Sequence, residues 1–329
     1  SRAAAVDGYI DCFRAAMARR PALTGGVVPL SGGRDSRHIF LEMCASGNCP
    51  EVAVTVGNGW GRTNPDGVIA SELARRAGVR HIMLDLPHSR WRAQRDTMAA
   101  MQLCTLENWW LTNLVAYVRD LPERPSVYEG VAGDVLSTSL YKKESLRRLY
   151  DKGDFAAIAE SLLGPERYFE QFLSREYCRR FSRESAIAKV VNELKEHEKA
   201  PNPLASFVVY NRTRRVTALP PTTLLSPYAN VWCPYLDADV WDHLSSLGPE
   251  FLEGDSTCSF HDEALRRAYP EFADVPFAGG WGGRRSFDRR TVAEMSIAVA
   301  TRPPGMIRKS YLALRLARGM LDPTYTGDA

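Results

Sequence analysis

Residues 26–36 read GVVPLSGGRDS, and residues 37–43 continue RHIFLEM. The stretch GVVPL at 26–30 has the pattern of a short buried strand. The stretch after the turn spaces its apolar side chains as a helix does and predicts one running to about Ser46. Between them lie small residues, an arginine and an aspartate. A plain strand–helix turn is one reading, because Gly and Ser suit such turns and Asp and Ser cap helices. An anion cradle is another. Successive amides of a Ser-Gly-Gly turn can converge on one phosphate. Glycines let the backbone approach closely, and the following helix presents its positive end. In that reading Arg34 helps neutralise a polyphosphate and Asp35 is a hard oxygen ligand for Mg2+. The LSGG tetrapeptide also occurs in ABC-type ATPases, but there it works beside a GxxxxGK[ST] loop, and no GKS or GKT occurs here.

The pattern repeats outward from this turn. EVAVTV at 51–56 reads as a second strand, and Asn64-Pro65-Asp66 starts a helix that ends near Gly78. RHIMLDL at 80–86 reads as a third strand and SVYEG at 126–130 as a fourth, with helices near 7–19, 89–103 and 106–120. Strands alternating with helices predict βαβ units and a parallel sheet. From Lys142 to Lys199 the chain is charge-rich and helical in pattern, with Ile187, Val190, Val191 and Leu194 on one face of the last piece. The remainder reads as mostly helical. The expected architecture is an α/β nucleotide-binding core over 1–140 and a helical lobe over 141–329 that completes it.

At 45% apolar and 25% charged residues, the chain has the composition of a globular protein with a sizeable core. No run of apolar residues is long enough to predict a membrane span, and the first residues lack the apolar centre of a signal peptide. Net charge is +3, too weak to imply nucleic acid. The cysteine count is odd, at seven, and no CxxC pair occurs, which argues against a disulfide scaffold or a zinc ribbon. Each cysteine is expected to be a small buried hydrophobe, and the chain to be cytoplasmic.

The SGGxDS turn after a strand resembles the signature of PP-loop ATP pyrophosphatases. GGVVPLSGGRDSRHI resembles the synthetase domain of asparagine synthetases and their β-lactam synthetase and lasso-peptide cyclase relatives. Further stretches match in order: TNPDGVIASELARRAGVRH, YEGVAGDVLSTSL, VWCPYLDADVWDHLSSLGPEF and FHDEALRRAYPEFADVPFAGGWGGRRSF. The resemblance implies a PP-loop fold and an ATP- and Mg2+-dependent, AMP-forming amide ligase. Such an enzyme adenylates a carboxylate and transfers the acyl group to an amine or ammonia. It implies that Ser31, Gly32, Gly33, Asp35 and Ser36 hold pyrophosphate, with Leu30, Arg34 and Gly133 beside them. The backbone of Val54 to Val56 would meet adenine, and Asp35 and Asp134 would share the metal.

The chain departs from that pattern in its acyl-transfer half. The family's catalytic glutamate falls at Val131, with Glu129 two positions away. The family's lysine falls near His261 or Asp262, and a histidine replaces it only if protonated. Arg284 and Arg285 lie where the family has another basic residue, and Arg285 is expected to contact phosphate. These departures leave open a non-catalytic relative that binds nucleotide or a partner. The family's glutaminase domain has no counterpart here. Nitrogen is therefore expected from free ammonia, a substrate amine, or a separate amidotransferase or carrier chain.

Residues 284–318 carry nine Lys or Arg against Asp288 and Glu294. A solvated helical face is the simple reading, and an acidic partner the functional one. A tRNA-modifying PP-loop enzyme rests only on the first motif and this basic stretch; paired cysteines and RNA-binding motifs are lacking. The expected substrates are small-molecule or peptide carboxylates and amines, with no membrane or nucleic-acid partner.

Overall fold

A computed structural model describes residues 1–19, 25–57, 64–105, 108–137, 144–164, 175–180, 182–252, 259–278, 293, 294 and 297. In chain order the elements are α1 (Arg2–Ala18), β1 (Gly26–Pro29), α2 (Arg34–Ala45), β2 (Val52–Val56), α3 (Pro65–Ala77), β3 (Arg80–Leu84), α4 (Arg90–Ala100), α5 (Thr112–Arg119), β4 (Ser126–Tyr128) and α6 (Gly133–Ser137). Then follow α7 (Glu144–Asp151), α8 (Phe155–Leu163), α9 (Arg175–Arg180), α10 (Arg183–Glu196), α11 (Pro203–Val208), β5 (Asn230–Trp232), α12 (Ala238–Ser246), α13 (Pro249–Leu252) and α14 (Phe260–Ala268). Two π-helical turns, Val209–Thr217 and Pro220–Leu225, precede β5.

The protein is α/β, with a five-stranded sheet in the order β3-β2-β1-β4-β5. Every pairing is parallel. Side-chain alternation along the strands divides the core between the two sheet faces. Val28, Ala53 and Tyr128 pack with Tyr9, Phe13, Phe40, Leu73, Tyr235 and Phe260. Val27, Val52, Val54 and Val127 pack with Leu114, Val118, Leu224 and Leu225. Burial on both faces explains why β1, β2 and β4 read as apolar runs.

Local chemistry sets the helix ends. Asn64 caps α3 by accepting from the Asp66 amide, Pro65 fixes the first turn, and Gly78 ends the helix at φ 70°. Ser259 and Asp262 form a reciprocal capping box at the start of α14.

The chain groups into two compact units. One comprises 1–88, 93–142 and 199–281, and the other 89–92, 143–198 and 282–329. A division at residue 140 separates strands that pair: residues 199–281 return to the first unit, where β5 extends the sheet beside β4. In the second unit α7, α8 and α10 bury Leu146, Ile158, Ala159 and Leu194. Ile187, Val190 and Val191 are half-buried there. The mostly helical expectation for the last part is corrected at β5, a strand too short to show alternation.

The cysteine expectation also needs correction. Cys44 and Cys49 form a disulfide, their Cα atoms 4.1 Å apart. Gly47, at φ 78°, folds the chain back after α2 and brings them together. None of the described cysteines is fully buried, and Cys104 is exposed. No described helix is long and apolar enough to cross a membrane.

Candidate functional site

In a parallel α/β sheet, ligands bind outside the carboxyl ends of the strands where the strand order reverses. Here β1 lies between β2 and β4, so the reversal falls at β1 and β4. The 31–36 turn leaves the carboxyl end of β1, and the 129–134 turn leaves that of β4. The topology therefore brings together the two stretches that sequence reasoning selected.

They touch through carboxylates. The Asp134 amide donates to Asp35 Oδ2 at 3.0 Å. The other Asp35 oxygen, Oδ1, is buried without a hydrogen-bond partner. Asp134 turns its own Oδ1 to the Val135 amide, at 2.8 Å. Burial, with repulsion from Asp134 and then Glu129, pushes the Asp35 carboxyl well above its usual range; the Asp134 amide and Arg34 oppose the shift. Burial pushes Glu129 up to about 7 against a hydrogen bond from the Val131 backbone. Burial raises Asp134 as well, while the Val135 amide and the Arg212 charge pull it back. Three acids thus crowd a place where ionisation is costly.

Glycine is needed where these turns meet. A Cβ on Gly133 would sit 2.6 Å from Asp35 Cγ and 2.9 Å from a Tyr235 ring carbon. Tyr235 anchors the same turn from below by donating to the Asp35 carbonyl at 3.0 Å. Ala132 takes φ 73°, a costly conformation for a residue with a side chain.

Three amides of the 31–36 turn have partners within the protein. The Ser31 amide donates to Ser36 Oγ at 3.0 Å and the Gly33 amide to Ser31 Oγ at 3.1 Å. The Gly32 amide donates to Asp66 Oδ1 at 2.9 Å. Arg34 pairs with Asp262 through two nitrogens, and its guanidinium lies 4.9 Å from the Phe277 ring centre. Burial would raise Asp262, but Arg34 and the Ser259 amide hold it below its ordinary value. Arg37, 2% exposed, fastens the chain above the turn by donating to the carbonyls of Val275 and Pro276 at 2.9 and 2.5 Å. The Ala278 amide closes onto the Gly32 carbonyl at 2.9 Å.

Leu30 is buried and bonds through its amide to the Val54 carbonyl at 2.8 Å. Val56 pairs in register with Leu84. Val54 and Val56 therefore lie one strand away from the turn, on the same sheet. Val131 is 7% exposed and packs as a core residue. Trp109 is buried and Trp110 half-buried. Arg284 and Arg285 lie outside the described residues, as does nearly all of 284–318.

His261 stands behind Asp35, completely buried, with Nδ1 3.5 Å from Asp35 Oδ1. Burial, with Arg34 adding, pushes its pKa down to about 3. The ring is neutral at ordinary pH, so His261 does not supply the charge of a lysine. Nor is it part of a nucleophilic triad. Ser137 Oγ and Asp35 Oδ1 both approach the same ring nitrogen, and Ser137 has no solvent exposure.

Sequence reasoning passed over several residues of this site. Ser137 lies one helical turn beyond Gly133, which is a signal once α6 is recognised. Asp66 and Tyr9 were hidden in ordinary helix patterns. Arg212 sits in a π-helical turn packed against α6, and a helix template of period 3.6 does not detect it. No protein-family model matches the chain, and no curated protein matches it significantly.

Proposed function

We propose that the chain is a PP-loop, ATP- and Mg2+-dependent enzyme that adenylates a carboxylate and passes the acyl group to an amine or ammonia. The reading rests on the resemblance to asparagine synthetase-like proteins. The single observation that supports it best is the meeting of the Asp35 and Asp134 turns at the sheet's switch point.

The acids suit a divalent cation. Asp35 Oδ1 is a buried acceptor without a donor; burial raises both aspartates, and repulsion from Asp134 adds to the shift of Asp35. The described residues contain no group of three or more metal-ligating side chains. Mg2+ uses one or two carboxylates together with phosphate oxygens and water, and Asp35 and Asp134 are two carboxylates on adjoining turns. When bound, Mg2+ would offset the charge that grows on departing pyrophosphate.

In the first step a substrate carboxylate oxygen bonds to the α-phosphorus of ATP and the bond to the β-phosphate bridging oxygen breaks. The products are an acyl-adenylate and pyrophosphate. The Ser31, Gly32 and Gly33 amides would hold the pyrophosphate after exchanging their present acceptors for its oxygens. In the second step an amine bonds to the acyl carbon and AMP leaves. Glu129, held near neutrality by burial, is matched to take the proton from that amine. Cytoplasmic location and any separate nitrogen-supplying chain belong to the same proposal.

A nucleotide-binding protein without amidation is the second reading, favoured by buried Val131 and neutral His261. Calorimetric titration of ATP with Mg2+ into the native chain and Asp35→Ala, with AMP and pyrophosphate assayed in the same mixtures, tests both. Magnesium-dependent binding lost in the variant, with pyrophosphate released when a carboxylate is supplied, is the expected result. Binding without pyrophosphate across a panel of carboxylates selects the second reading. No binding by a folded native chain at millimolar ATP refutes both.

A further inference from the structure

The turn at 44–49, which ends α2, is closed by its own hydrogen bonds. The Asn48 amide donates to the Met43 carbonyl at 2.8 Å and the Gly47 amide to the Cys44 carbonyl at 3.1 Å. These are the two bonds of a Schellman helix end, with Gly47 in the left-handed conformation at φ 78°. The Ser46 hydroxyl donates to the same Met43 carbonyl at 3.1 Å. Cys44 lies in the last turn of α2, and Cys49 directly follows the Schellman end. Both flanks are anchored. Ile39, Phe40 and Met43 of α2 are buried, and the Glu51 amide donates to the Gly26 carbonyl at 2.9 Å where β2 begins. The backbone therefore sets the two sulfurs side by side. Cys49 is exposed, whereas Cys44 is half-buried and packs against the core. The pair sits at the amino edge of the sheet, away from the turns that leave the carboxyl ends of β1 and β4.

We propose that the Cys44–Cys49 disulfide is a reversible modification site that exchanges with dithiols and resists monothiols. An incoming thiolate reaches the exposed Cys49 Sγ and forms a mixed disulfide there. Cys44 leaves as a thiolate and takes a proton. The turn keeps Cys44 beside the new bond, at an effective concentration far above that of a dissolved thiol. Cys44 therefore attacks the Cys49 sulfur again and expels a monothiol before a second one arrives. A dithiol brings its second thiol with it. That thiol attacks the reductant's own sulfur in the mixed disulfide, and Cys49 leaves as a thiolate that takes a proton. One protein disulfide and one dithiol give two protein thiols and one disulfide within the reductant. The partner is thus a protein or small molecule carrying two adjacent thiols. The inference is independent of the proposed ligase activity.

Differential alkylation followed by mass spectrometry tests this on the full chain, because it reads Cys44 and Cys49 apart from the other cysteines. The chain is equilibrated with glutathione buffers, folded and again unfolded in urea, where the pair lacks its turn. Half-reduction of the folded chain is expected to require a ratio of squared reduced to oxidised glutathione on the order of a hundredfold higher. Net opening rates with dithiothreitol and with glutathione are then compared. The preference for dithiothreitol should be about tenfold greater in the folded chain than in the unfolded one. Equal preferences overturn the proposal. So does a folded pair that glutathione reduces as readily as the unfolded pair, or one found as thiols after purification without reductant.

Amide hydrogen exchange checks the cause. In a variant carrying both Cys44→Ser and Cys49→Ser, the Gly47 and Asn48 amides should exchange within about threefold of their native rates, because the turn closes itself. If that variant does not fold, the reduced native chain gives the same reading. Exchange faster by about a hundredfold would mean that the disulfide holds the turn, and not the turn the disulfide, which refutes the proposal.

Discussion

The turns after β1 and β4 are neighbours, yet their polar groups are in opposite conditions. In the first, the Ser31, Gly32 and Gly33 amides have acceptors, and Arg34 has Asp262. In the second, Glu129 and Asp134 join Asp35 in a crowd of acids whose pKa values burial raises. A phosphate arriving at the first turn must displace bonds already made. A cation arriving at the second relieves repulsion already present. On the proposed reading, the acids, and not the amides, would therefore provide the main electrostatic pull on a divalent cation.

The sharpest way to break this contrast is Gly133→Ala. Its Cβ would overlap Asp35 Cγ, so the carboxylate must move. Overpacking is expected to cost about 2–3 kcal/mol of stability. Mn2+ affinity should fall by roughly a hundredfold. Thermal melts and metal titration read the two effects, and unchanged metal affinity in a folded variant would detach Asp35 from the cation.

Glu129→Gln comes next, and its effect depends on pH. Glu129 ionises near 7 in the folded chain and near about 4.3 in an unfolded one. The native state therefore binds more protons between these values. The stability due to Glu129 is full below the unfolded pKa and is lost as pH rises through about 7. Relative to native, the Gln variant should gain on the order of 3 kcal/mol between pH 4.5 and 7.5, then stay level. Denaturant titrations across that range measure it, and a flat difference would mean that Glu129 is not held by burial. In the native chain Mn2+ should bind more tightly as pH rises through 7, because the cation displaces protons.

The smallest effect is expected in the first turn. Asp66→Asn keeps an oxygen for the Gly32 amide but removes the charge that an incoming phosphate would meet. Pyrophosphate should bind about fivefold more tightly, corresponding to about 1 kcal/mol of relieved repulsion. Weaker binding measured by calorimetry would make Asp66 a support for the turn and not an obstacle to its ligand.

The same contrast explains what the sequence discloses. β1 to β4 and α3 were legible because apolar runs and caps such as Asn64-Pro65 are local signals. Asp35 and Asp134 were legible as parts of short motifs. The state of their surroundings was not, because it depends on residues far apart in the chain. Asp66 reaches Gly32 across 34 positions, and His261 reaches Ser137 across 124. The difference between a protonated and a neutral His261 is set by burial, which no motif records. β5 escaped notice because three residues next to a π-helical turn give neither alternation nor helical period.

A ribosome making this chain releases β4 about a hundred residues before β5, and His261 later still. At ~5–20 residues per second, the first four strands wait on the order of ten seconds for the fifth. During that interval β4 presents an open edge, and the Asp35 and Asp134 turns lack Tyr235 beneath them and the imidazole behind them. Assembly of the site is therefore a late event in synthesis, governed by the arrival of residues 230–278. Chaperones that shield sheet edges would act before the two turns are complete, and any ligand of this site would enter a nearly finished protein.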